Sequence, residues 1–81
     1  MTTEHQENKR IIKSVCSKDK LRAYLQDCNF EHEHDKEILS MIYLQSKDFG
    51  YVADSIGLSY AQTLERHKRA AKKLADLIKT Q

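Results

Sequence analysis

The stretch VADSIGLSYAQ, residues 52 to 62, holds two short apolar turns that are separated by Gly57-Leu58-Ser59 and then resume. Glycine takes the left-handed backbone that ends a helix at little steric cost, so Gly57 reads as a stop. Ser59 with Gln62 three residues on fits the reciprocal capping box that starts a helix, in which the Ser alone contributes about 1 kcal/mol. The chain therefore ends one helix at Gly57, buries Leu58 in the turn and restarts at Ser59 at a steep angle. That is the local pattern of a helix-turn-helix.

Outward from this turn, every other signal is helical. Proline is absent and glycine occurs only at positions 50 and 57, so the punctuation comes mostly from caps. A first helix is expected over 4 to 15, with Ile11, Ile12 and Val15 on one side. Ser17 caps a second, whose Leu21, Tyr24, Leu25 and Cys28 follow the spacing of an amphipathic helix ending near Asn29. In EHEHDKEILSMIYLQ, residues 31 to 45, Ile38, Leu39, Met41, Ile42, Tyr43 and Leu44 leave almost no polar face, which places this helix in the middle of a bundle. Ser46 or Asp48 caps a short helix that turns Phe49, Val52, Ala53 and Ile56 inward, and the last helix runs from Ser59 to about Lys79. The expected fold is all-α, a small bundle of about five helices in one domain spanning 1 to 81. A three-helix core at 33 to 79 contains the helix-turn-helix, and the helices in 1 to 32 pack on it or serve dimerisation.

At 81 residues the chain has a modest core and little room for a deep catalytic cleft. Charged residues make up 32% and apolar ones 40%, fractions that suit a folded domain rather than a disordered one. The net charge of +2 implies no nucleic-acid partner by itself, but its distribution is uneven. Between positions 63 and 81 six basic residues (Arg66, Lys68, Arg69, Lys72, Lys73, Lys79) face two acids, Glu65 and Asp76. No apolar run approaches the roughly 20 residues that span a bilayer, and MTTEHQENKR lacks the apolar centre of a signal peptide, so the expected location is the cytoplasm. Such a compartment keeps thiols reduced, and Cys16 and Cys28 read as small buried hydrophobes.

The stretch EILSMIYLQSKDFGYVADSIGLSYAQTLERHKRAAKKLADLI resembles the fourth region of bacterial sigma factors, the part that reads the upstream promoter element. Glu37, Ile38 and Leu39, with Tyr43 five residues after the Ile, are similar to the opening of a helix in that family. Phe49, Val52, Ala53, Ile56, Gly57, Leu58 and Ser59 resemble its helix-turn series, and Arg69, Ala70, Lys72, Lys73 and Leu74 its basic close. The similarity covers residues 35 to 78 without a gap. The upstream 34 residues carry no recognisable polymerase-binding or promoter-melting region, so the chain is not expected to be a complete sigma factor. It also departs from the family at Thr63 and Leu64, where the family places an apolar and then a polar residue. Thr63, His67, Ala70, Leu74 and Leu77 form one helical stripe, and Leu64, Ala71, Ala75 and Ile78 another, rotated by about 100°. Both stripes are buried, or Leu64 touches a thymine methyl, or Leu64 faces a protein partner; the sequence leaves these three open.

A helix entering the major groove needs polar side chains on its first turns for base edges and cations nearby for phosphates. Tyr60, Gln62, Thr63, Glu65 and Arg66 occupy those turns. Gln pairs with adenine, Arg with guanine, and Glu accepts from cytosine. Ser59, the free amides of the helix start and Lys47 in the preceding loop are placed for phosphate. Arg69 and Lys73 continue the basic side, although Lys72, Lys73 and Lys79 also read simply as a solvated helix face. Cys16, Cys28, His32 and His34 do not have the paired spacing of a zinc module, so no metal or other cofactor is expected. No Ser-His-acid set, phosphate-cradling Gly loop or carboxylate pair in an apolar setting can be assembled, and no enzyme is expected.

Two functions remain. One is a small DNA-binding transcriptional regulator, phage-like or mobile-element-like in its economy, with a recognition helix at about 59 to 70 on double-stranded DNA and dimerisation as a route to affinity. The other is an adaptor that keeps the sigma-like shape and binds RNA polymerase or a sigma factor through Leu64 and the N-terminal helices. Gln62, Glu65 and Arg66 favour the first.

Overall fold

A computed structural model describes residues 3–15 and 17–80, and these form five helices and no strand. They are α1 (Glu4–Lys13), α2 (Lys18–Asp27), α3 (Glu33–Leu39), α4 (Phe49–Ile56) and α5 (Tyr60–Lys79), with α3 running on into a π-helical segment at Ser40–Leu44. The all-α class read from the sequence is the one observed. No described helix is long and apolar enough to cross a membrane. Cys16 lies outside the described residues. Cys28, read above as a buried hydrophobe, is a half-buried free thiol, and that partial burial raises its pKa.

Local side-chain chemistry sets most helix starts. The Thr3 hydroxyl accepts from the Gln6 amide at 3.2 Å and Gln6 Oε1 accepts from the Thr3 amide at 3.3 Å, a reciprocal box that begins α1. Ser17 accepts from Lys20 at 3.4 Å to begin α2, and Asp48 accepts from Tyr51 at 2.8 Å to begin α4. At the opening turn, Gly57 has φ 74° and its amide donates to the Ala53 carbonyl at 3.0 Å, joined by the Leu58 amide at 3.1 Å. Ser59 and Gln62 then exchange amide-to-side-chain hydrogen bonds, both 3.1 Å long.

Gly57 offers a clean test of backbone strain. A Cβ there meets nothing within 4 Å, so the cost of adding one is conformational alone. Gly57→Ala is expected to lower stability by about 1 to 2 kcal/mol, and Gly57→Asn by less, because Asn tolerates the left-handed region. Urea midpoints of the three proteins measure the order.

The apolar stretch after Glu37 behaves differently from the uniformly buried helix expected. Ile38 and Leu39 are fully buried, whereas Met41, Ile42, Tyr43 and Leu44 are only half-buried. Over Ser40–Leu44 the helix widens, with the Gln45 amide donating to the Ser40 carbonyl at 3.1 Å. Such a turn holds an extra residue and rotates the side chains that follow. Ser46 then ends the segment at φ 58°.

α5 is the spine on which the others pack, with α1 its most extensive neighbour. One cluster gathers Ile12 of α1, Leu21 and Leu25 of α2, Leu39 of α3, and Ala70, Ala71 and Leu74 of α5. The N-terminal helices therefore dock on the helix-turn-helix core of their own chain. The two stripes of α5 resolve by position along it: Thr63 and His67 alone are buried in its first turns. From Ala70 onward Ala70, Ala71, Leu74 and Ala75 are all buried. Small alanine side chains let neighbouring helices approach that half closely. Leu64, ahead of the covered region, is 39% exposed.

Candidate nucleic-acid interface

α5 has 20 residues, and its two halves present different amounts of surface. In the first turns Thr63 and His67 anchor one side, while Tyr60, Ala61, Gln62, Leu64, Glu65, Lys68 and Arg69 are exposed around the rest. Residues three and four apart share a face of a helix, so Ala61, Leu64, Glu65 and Lys68 are neighbours on the surface. The turn at 57 to 59 brings the start of α5 beside α4, where Phe49 and Tyr60 meet edge to face with ring centres 6.4 Å apart.

Not every residue named from the sequence is on that surface. Thr63 is fully buried and its hydroxyl donates to the Ser59 carbonyl at 2.9 Å, which removes it from the candidate contacts. A hydroxyl in that position is satisfied by the preceding turn, so a polar residue fills a slot where the resemblance places an apolar one. Lys73 is half-buried, donating to the Asn29 carbonyl at 3.3 Å and lying 3.6 Å from Glu31, and so ties α5 to the loop before α3. Lys72 lies 3.2 Å from Glu4 of α1.

The others are exposed or close to it. Lys47 is exposed and stands 5.0 Å over the Tyr51 ring, a cation–π contact at the start of α4. Ser59 and Gln62 are exposed, yet each is engaged in the capping box, so Gln62 offers its amide NH2 more freely than its oxygen. Tyr60 is 56% exposed. Glu65 and Arg69 pair with one another at 3.4 Å, a solvated i, i+4 contact worth little that opens readily for another partner. Arg66 is half-buried on the flank, where it lines a hollow of about 310 Å³ with His32, Leu58, Gln62 and Glu65. Beside a major groove, Arg66 would approach from the edge of α5 rather than its crest.

His67 is the buried polar centre beneath this face. Its Nε2 and the Tyr43 hydroxyl share a hydrogen bond of 2.9 Å, the tautomer deciding which group donates. Phe49 and His5 pack edge-on against its ring, at 4.9 Å and 5.3 Å between centres. Burial first, then the neighbouring His5 and Lys9, push the His67 pKa down to about 4. Burial raises that of Tyr43 to about 12. His5 is lowered too, by its own burial and by Lys9 and Lys68. A neutral imidazole thus joins α1, the π-helical segment, α4 and α5 at the base of the helix-turn-helix.

The sequence reading passed over Ala61 and Tyr51, counted Lys68 only in the basic surplus and weighed His32 only as a metal ligand. Ala61 and Lys68 lie on the arc opposite the Thr63, His67, Ala70 and Leu74 stripe, so following that stripe to its opposite face finds both. His32 and Tyr51 come from other elements and had no such signal. Among the described residues no group of three or more His, Cys, Asp or Glu is arranged to hold a metal ion. Compared with models of known protein families, with curated proteins and with solved structures, the chain matches none.

Proposed function

We infer that the chain is a small sequence-specific DNA-binding transcriptional regulator whose recognition helix, α5, enters the major groove through its first turns. The observation that carries this is the contrast along α5: an exposed first half rimmed by Lys68 and Arg69, and a second half clamped by α1 and α2. A reading helix needs a protruding end and a rigid root, and this helix has both. The resemblance of residues 35 to 78 to sigma region four supports the same assignment. One module of this size covers about 600 to 1,000 Å² of DNA, so useful affinity calls for a homodimer or a second anchor such as RNA polymerase. On this reading the protein works in the cytoplasm, without a cofactor.

Selection from a pool of random duplexes at two salt concentrations tests it. An enriched short motif that survives the higher salt supports sequence reading, and binding that lacks a motif and vanishes with salt overturns it. Against the enriched site, Arg66→Ala is expected to cost about 1 to 3 kcal/mol and relax one base position. Lys68→Ala is expected to weaken all sequences evenly and lower the salt slope by about one. Equal losses on every sequence for both variants would remove the base-reading role of Arg66.

The exposed Tyr51, Tyr60 and Leu64 favour a second reading, an adaptor that binds RNA polymerase or a sigma factor. Under it, Leu64→Asp abolishes the protein complex while circular dichroism shows the fold intact.

A further inference from the structure

Leu64 stands out on the exposed half of α5. It is apolar and 39% exposed. Ala61, three residues earlier, lies beside it and is exposed as well. Beside this apolar spot Lys68, one turn further on, is exposed and without an ion pair among the described residues, whereas Arg69 pairs with the neighbouring Glu65 and Lys72 with Glu4. A protein-docking patch is normally a contiguous apolar area of several hundred Å² with a polar rim. A spot of Leu64 and Ala61, flanked by Tyr60 and with an unpaired lysine one turn on, suits a polyanion instead, one that offers a methyl-sized apolar feature between its phosphates. Thymine presents such a feature, the C5 methyl, in the major groove, and no other base of DNA does.

We propose that Leu64, with Ala61 beside it, packs on the C5 methyl of a thymine in the DNA site while Lys68 contacts the neighbouring phosphate. This rests on the DNA-binding reading and narrows it: the recognition site contains a thymine that is read by apolar contact, at a position Gln62, Glu65 and Arg66 do not read. Burying about one methyl group is worth about fourfold in affinity.

Deoxyuridine pairs as thymine does but lacks the C5 methyl, and so isolates this contact. Each thymine of a duplex enriched by the wild-type protein is replaced in turn, and binding is measured by fluorescence anisotropy for the wild type and for Leu64→Ala. The expected result is a loss of about fourfold at one thymine for the wild type, and at that thymine no further loss for Leu64→Ala, which already binds the unmodified duplex more weakly. Leu64 is outside the core, so Leu64→Ala keeps its helical circular dichroism. Selective binding with no methyl-sensitive thymine, or with a sensitivity that persists in Leu64→Ala, overturns the proposal and leaves the DNA reading standing. Failure to enrich any sequence overturns both, and binding of Leu64 to a protein then explains its exposure.

Discussion

Leu74→Ala is expected to lower the folding free energy by about 2 to 5 kcal/mol, the range for removing a buried leucine and leaving part of its volume empty. Leu74 is fully buried, and its cluster draws Ile12 from α1, Leu21 and Leu25 from α2, and Leu39 from α3. A void bounded by four helices cannot close by the shift of any one of them, which favours the upper part of that range. For 81 residues the total stability expected is only about 4 to 12 kcal/mol, so the loss is a large fraction of the whole. Urea unfolding followed by circular dichroism measures it. Leu77→Ala is the internal comparison, because Leu77 is only half-buried and should cost distinctly less. Equal costs for the two would show that Leu74 is not the centre of the core. Under the proposed function, DNA binding should fall with Leu74→Ala in proportion to the fraction unfolded, since Leu74 lies beyond the exposed turns of α5.

How far the sequence carries depends on how local each feature is. Ser17, Asp48, Gly57 and Ser59 act on backbone groups within four residues, and each takes the role expected of it. The inward residues of α4 and the end of α5 follow from helical spacing in the same way. Lys73 does not, because its carbonyl partner Asn29 lies 44 residues away and its apparent place in a basic face dissolves once the loop before α3 is packed there. The π-helical turn at Ser40–Leu44 has no sequence signature, since its apolar residues fit a regular helix equally well. Thr63 illustrates a third case. Its inward register was legible, but its polarity suggested a contact with DNA, and only the hydrogen bond to the Ser59 carbonyl explains a hydroxyl in that slot. For the candidate interface, the turn and the exposed arc of α5 were therefore legible, and the commitments of single side chains were not.

His67 is the residue for which the remote partners matter most, and it predicts the pH dependence of the fold. In the sequence it is one member of the stripe with Thr63, Ala70, Leu74 and Leu77. In the fold the ring is 1% exposed, enclosed by Tyr43 of the π-helical segment, Phe49 of α4, and His5 and Lys9 of α1, with no carboxylate contacting it among the described residues. Its pKa falls from 6.5 to about 4 because a charged imidazolium there would lose its water and face other cationic groups. The unfolded chain then binds a proton that the folded chain refuses between these two values. Stability is therefore complete above pH 6.5, declines as the pH drops toward 4, and by then has lost roughly 3 kcal/mol. His5, lowered in the same direction, adds to the slope. Between pH 7.5 and pH 5 the expected loss from His67 is about 2 kcal/mol, read from urea midpoints at each pH. His67→Gln keeps a neutral hydrogen-bonding partner for the Tyr43 hydroxyl and has nothing to titrate, so it should be less sensitive to pH over this interval by that amount. An unchanged pH slope in His67→Gln would show that other groups carry the acid sensitivity. Because the same imidazole lies under Tyr43, Phe49 and the first turns of α5, protonating it loosens the root of the proposed reading helix. DNA binding should weaken on the acid side in step with that loss of stability.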